Sequence, residues 1–148
     1  MRKIAVIILA ALMAACTTPA GQGADTLLRQ IDSLYAAKAY QQTLDSIESF
    51  RLRFPKNVEG RSHALEVWQK ASLDMTRQQV GLTDSALQAT GRQLEMARSH
   101  YDRNMLSVKR DSLQARYDVL CAQVRYILMK QIEYATKQHM NEKVTPRH

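Results

Sequence analysis

The chain has 148 residues and a formal net charge of +7, with only five glycines and three prolines. That length supports one domain or one elongated unit, and plentiful Ala, Leu, Gln, Arg and Lys favour helix. The basic residues are scattered rather than clustered, which argues against a nucleic-acid-binding stripe.

The first element in chain order is an export segment. Met1, Arg2 and Lys3 form a short positive region, and residues 4–15, IAVIILAALMAA, are apolar and uncharged. Small residues Ala14 and Ala15 precede Cys16. This is the layout of a secretory signal peptide over residues 1–15. The run is too short to span a bilayer, which takes about 20 apolar residues. Leu12-Met13-Ala14-Ala15-Cys16 resembles the lipobox of bacterial lipoproteins, with Met13 in place of the usual leucine. The resemblance implies a lipid on the Cys16 thiol and a mature chain that begins there. Ordinary cleavage, leaving Cys16 as a thiol or in a disulfide, is the alternative. Residues 16–24, CTTPAGQGA, follow without charge and are expected to form a flexible tether. Removing residues 1–15 takes Arg2 and Lys3 with it and lowers the net charge from +7 to +5. On an exported chain this excess suits a solvated surface, or attraction to anionic head groups and envelope polymers.

Everything beyond reads as helix, because no stretch shows sustained period-two alternation. Leu27, Leu28, Ile31, Leu34 and Tyr35 mark a first helix that Asp25 is placed to cap. A turn near residues 37–39 leads to a second helix marked by Tyr40, Leu44, Ile47, Phe50 and Leu52. Pro55 stops it. Residues 25–55 thus form a helical hairpin. Leu27, Ile31, Leu34, Tyr40, Thr43, Ile47, Phe50 and Pro55 are similar to one tetratricopeptide-type hairpin. Ile31 and Thr43 stand where that family prefers smaller residues. Such units bury their apolar faces by stacking, so a single one must pack on something else.

Residues 56–139 supply that surface. Leu73, Val80, Leu87, Leu94 and Tyr101 recur every seven residues, with Thr76, Thr83, Thr90 and Ala97 between them. This is a heptad stripe with a weak partner position, on a helix expected over residues 58–104. Leu113, Tyr117, Leu120, Val124, Ile127, Gln131 and Tyr134 form a stronger stripe, broadened by Leu128, Met129 and Ile132. Asp111-Ser112 would cap its helix. A reversal within residues 102–110 would pair the two stripes antiparallel; a single helix over residues 58–138 is the rival. Residues 140–148 read as a basic tail. The expected fold is therefore all-α, an N-terminal helical hairpin packed on a long antiparallel coiled-coil-like hairpin. The body from LYAAKAYQQTL to YDVLCAQVRYILMKQIE also resembles small helical lipoproteins of Bacteroidota.

Catalytic chemistry finds no support. No two of the four histidines are three or four residues apart, carboxylates stand singly among Lys and Arg, and no glycine loop follows a strand. No enzyme, metal or cofactor is expected. Cys121 lies in a helical stretch as a small buried hydrophobe or as the site of an intermolecular disulfide. Trp68, the single tryptophan, is expected to plug the joint between the hairpin and the long helix, or to stack on a ligand. Tyr40, Trp68 and the basic cluster Arg51, Arg53 and Lys56 are the candidate partner-binding residues.

Two functions follow as expectations. One is a non-enzymatic adaptor or scaffold for a protein partner, anchored in a membrane through Cys16. The other is a coiled-coil spacer, which leaves a homo-oligomer open. Thr17 follows the cysteine where inner-membrane retention would call for aspartate, and no acid occurs before Asp25. By resemblance these features favour the periplasmic leaflet of the outer membrane.

Overall fold

A computed structural model describes residues 20–144, with side chains from residue 23 to 140. The export segment and Cys16 lie outside the described residues. Four helices follow one another: α1 (Ala20–Ala36), α2 (Tyr40–Arg53), α3 (Val58–Met96) and α4 (His100–Val144). No strand occurs among the described residues, so the protein is all-α.

α1 and α2 form a hairpin, the head. The chain leaves α1 through a left-handed residue, Lys38 at φ 58°. The Ala39 N–H donates to the Leu34 carbonyl at 3.0 Å and the Lys38 N–H to the Tyr35 carbonyl at 2.9 Å. This paired closure satisfies carbonyls that a helix end leaves orphaned. The head core is Ala24, Ile31, Ile47 and Phe50, closed by Ala64 and Val67 of α3. Thr43 is also fully buried, and its hydroxyl donates to the Ala39 carbonyl at 3.0 Å. Leu52, expected on this face, points outward at 76% exposure.

α1 begins earlier than the sequence suggests. Residues 20–24 were expected to belong to the tether, yet they are the first helical turns. Ala24 is 2% exposed within the core, and Gly23 lies against the Phe54 ring. Burial of that face outweighs the low helix propensity of glycine, about 1 kcal/mol per residue. Asp25 consequently sits inside the helix, exposed, rather than at its cap.

The joint between α2 and α3 is tight. The Asn57 side chain caps α3 by accepting the Gly60 N–H at 2.8 Å. Gly60 is buried, and a Cβ there would meet the Phe50 ring at 2.5 Å. Gly60→Ala is therefore expected to destabilise the protein by about 1–3 kcal/mol through overpacking. Gly81→Ala is the control, since a Cβ at Gly81 meets nothing within 4 Å. It should stabilise the exposed helix by up to about 1 kcal/mol. Chemical denaturation of the two variants checks both signs.

α3 and α4 pair antiparallel. The hydroxyls of Ser62 and Tyr134 meet at 3.2 Å near one end, and Asp84 acts on the Tyr117 hydroxyl farther along. This geometry excludes one helix over residues 58–138. The reversal falls at residues 97–99, not within 102–110. There Ala97 is extended, the Ser99 hydroxyl accepts the Tyr101 N–H at 3.1 Å, and Arg103 Nε donates to the Ala97 carbonyl at 3.1 Å. The segment expected to turn carries Leu106, which is half-buried and adds one more residue to the α4 stripe, so it stays helical. The helix also continues through Val144, into the expected basic tail.

The α3 seam inverts the expected weighting. Thr76, Thr83 and Thr90 are 7%, 5% and 1% exposed, whereas Val80, Leu87 and Leu94 are only half-buried. The small threonines let the two helices approach. Thr76 and Thr90 satisfy their hydroxyls on the carbonyls of Ser72 and Ala86, at 2.7 and 2.8 Å. The head covers the first turns of α3, reaching Asp74 through Tyr35. From there to the reversal, about 33 Å of helix packs along α4. The molecule is a head with a two-helix stalk.

Candidate functional site

The head–stalk junction carries the most developed surface feature. α3 presents Leu65, Trp68 and Gln69, and α4 faces them with Tyr126, Ile127 and Tyr134. Together they line a cleft of about 330 Å³. Trp68 is 39% exposed, so it fills the joint only partly and leaves much of its ring open. It also borders a second, more polar cleft against α2, with Leu44, Asp45, Glu48 and Arg51.

The rim of the Trp68 cleft is charged. Glu133 Oε2 accepts Lys130 Nζ at 2.7 Å, and its Oε1 accepts Lys137 Nζ at 2.7 Å. Spacings of three and four residues put all three side chains on one helical face. The two ammonium groups hold the Glu133 carboxyl down to about 2, and Glu133 in turn raises Lys130. Lys130 Nζ lies 5.9 Å from the centre of the Tyr126 ring. One carboxylate between two lysines leaves the rim with a net positive charge.

The opposite side of α3 is polar. Tyr35 donates to Asp74 Oδ2 at 2.8 Å, and that bond raises the Tyr35 hydroxyl above its ordinary range. Ser62, Glu66, Gln69, Gln131 and Gln138 share this cleft with Tyr134. The α3 stripe explains the change of character. Counting back from Leu73 by fours and threes reaches Gln69, Glu66 and Ser62, so the seam turns polar near the head.

The candidate residues do not form one surface. Trp68 and Arg51 share the α2–α3 cleft. Tyr40, at the other end of α2, packs on Tyr35 with ring centres 6.2 Å apart. Arg53 lies over Phe54 at 5.7 Å, and Lys56 is exposed in the following turn. Thirteen helical steps, about 20 Å, separate Tyr40 from Arg53. His63 pairs with Asp32 at 2.8 Å across to α1, while Glu66 pairs with Lys70 at 2.7 Å, which holds its carboxyl below the usual range. His63 and Glu66 thus do not converge, and no metal-binding cluster occurs among the described residues. Cys121 is half-buried beside Tyr117, forms no disulfide among the described residues, and raises the Tyr117 hydroxyl.

Tyr134 is legible as part of the α4 stripe, but the charged rim of Lys130, Glu133 and Lys137 escaped sequence reading. Its signal was present: Tyr126, Lys130, Glu133 and Lys137 recur at helical spacing beside the inner stripe. Head, stalk and cleft define an all-α protein with a largely apolar, positively rimmed groove at the junction. No family model, curated protein or solved structure matches the chain.

Proposed function

We propose that the chain is an exported, lipid-anchored helical adaptor that holds a protein partner at the periplasmic face of the outer membrane. The address rests on residues 1–17, from the signal layout to Cys16 and Thr17. No helix among the described residues is long and apolar enough to cross a membrane. The reading of a partner rests on one observation, the open face of Trp68 in an apolar cleft with a basic rim. Tryptophan is enriched among residues that dominate binding energy at protein interfaces. An apolar side chain flanked by acidic residues is the complementary chemistry. The fold needs no catalytic group for this role.

Trp68→Ala tests the reading. The full-length chain is crosslinked in its membrane, and partners captured by wild type and variant are compared. Truncating a central tryptophan costs roughly 2 kcal/mol or more, about thirtyfold in affinity. The expected result is loss of the captured partner with unchanged helicity and membrane fraction. Equal capture by the variant would refute the cleft as the binding site.

The stalk favours a second reading, a spacer. Its two-helix stretch beyond the head has length without an enclosed core, and its role would be reach.

A further inference from the structure

α4 carries two heptad stripes; one packs on α3 along its length, and the other is exposed, with only Tyr126 of it also lining the Trp68 cleft. The inner stripe packs on α3 through residues such as Leu113, Tyr117 and Leu120. Rotated from it by roughly 140° is a second series, given 3.6 residues per turn. Tyr101, Met105, Val108, Val119, Tyr126 and Met129 belong to it, each between 56% and 72% exposed. Ser112, Ala115 and Ala122 fill the intervening positions and are also exposed. From 101 to 129 the steps alternate four and three without interruption, and Ser112 is the only polar member. Unbroken spacing of this kind specifies a helix partner, because it keeps one stripe facing a neighbour along its whole length.

We propose that this outer stripe binds a second copy of the same chain, with the two α4 helices antiparallel. The inference rests on the seam alone and on neither functional reading above. A copy of α4 presents the same spacing, so the two stripes match in length and period. The flanking charges select direction and register. With Met105 opposite Met129 of the second copy, Val108 lies opposite Tyr126 and Ala115 opposite Val119. Asp102 then faces Lys130, and Asp111 faces Arg125, each contact occurring twice by symmetry. Within one chain Asp111 meets Arg110 and Lys130 meets Glu133, all of them exposed, so pairing across the seam would add to or exchange these surface contacts. At the dyad Arg116 and Asp118 each meet their own copy, two unfavourable contacts against four favourable ones. Sliding by one heptad in one direction sets Asp111 against Asp118 and Lys109 against Arg116; in the other it sets Lys109 against Lys130 and, between residues 101 and 130, keeps only Asp118–Arg125 as an attractive pair. A parallel pairing in register sets Arg125 against Lys130 and keeps only Asp111–Arg116 as an attractive pair. The small residues Ser112, Ala115 and Ala122 sit around the centre, where they let the backbones approach.

The seam is about 42 Å long and roughly 10 Å wide, a footprint on the order of 400 Å² per copy. That size belongs to weak, reversible complexes. A dimer that dissociates in the micromolar range is expected.

The full-length chain in mild detergent provides the test. In sedimentation velocity over about 1–200 µM, its protein mass should rise from one chain toward two. Val119→Asp, on an exposed position, should hold the mass at one chain with unchanged circular dichroism. Arg125→Asp should weaken the dimer at least fivefold, and adding Asp111→Arg should restore it. In a Cys121→Ser background, Met105→Cys mixed with Met129→Cys should form a disulfide-linked dimer, and neither variant alone should. A mass fixed at one chain across the range, or an unaltered Val119→Asp, would overturn the seam. Efficient self-crosslinking of Met105→Cys would overturn the antiparallel arrangement. Tyr126 and Lys130 belong to both the cleft and the seam, but Trp68 is not a seam position and Val119 does not line the cleft, so the two variants distinguish failure of the seam from failure of the adaptor reading.

Discussion

Cys16→Ser is expected to move the protein from the membrane fraction to the soluble fraction while its helical circular dichroism stays unchanged. In the proposed reading, the Cys16 thiol is the group that takes a thioether-linked lipid, and serine removes it. Each buried methylene contributes roughly 0.8 kcal/mol, and two or more acyl chains are needed for stable anchoring. The resemblance to the lipobox implies two or three chains, so their loss is a near-complete change in partitioning. Net positive charge offers a weaker attachment to anionic surfaces, and salt screens it. A high-salt wash therefore separates the two mechanisms. If the variant still sediments with membranes after that wash, the lipid anchor is wrong. The unchanged helicity follows from the position of Cys16, four residues before α1 begins.

Phe50→Ala is expected to destabilise the head by about 3–5 kcal/mol, the usual cost of removing a fully buried aromatic ring. Phe50 is 0% exposed and is the largest fully buried side chain. Its ring touches Phe54 with centres 5.3 Å apart and lies against Gly60 at the start of α3. The cavity would therefore open where α2 and α3 are held together. For a protein of this size the melting temperature should fall by ~10 °C or more. Amide hydrogen exchange locates the effect: protection should be lost across α1 and α2 and kept across the distal stalk. Uniform loss over all four helices would show that head and stalk unfold as one unit.

The helix class was legible because composition and periodicity both point to it. The steps of Ile47, Phe50 and Pro55, and of Leu113, Tyr117 and Leu120, place the right residues on the right faces. Element ends were less legible. Turn-tolerant residues at 102–110 suggested a reversal, but Leu106 is needed on the seam and the chain reverses earlier, at Ser99. The glycines before Ala24 suggested a tether, but burial of Ala24 recruits them into α1. Both errors share a cause, since local propensity is worth less than the packing of one face.

The candidate site shows the same division. Trp68 stands out in the sequence by being unique, but its partners come from residues about sixty positions away on α4. No local pattern encodes which helix faces it. The buried threonines make the point in reverse. Read along the chain they look like a weak seam, and in the structure they are its most buried members.

What the sequence by itself determined is the all-α class and the hairpin that Pro55 ends. Those follow from short-range chemistry: helical periodicity, and a residue without an N–H. The tertiary structure alone decided that Tyr101, read with the α3 stripe, and Met129, read with the inner α4 stripe, lie exposed on a separate face of α4. Periodicity marks the inner stripe for pairing, but the outer stripe shares its spacing. Packing against α3 buries the first and leaves Tyr101 through Met129 facing outward, which turns a redundant pattern into a surface.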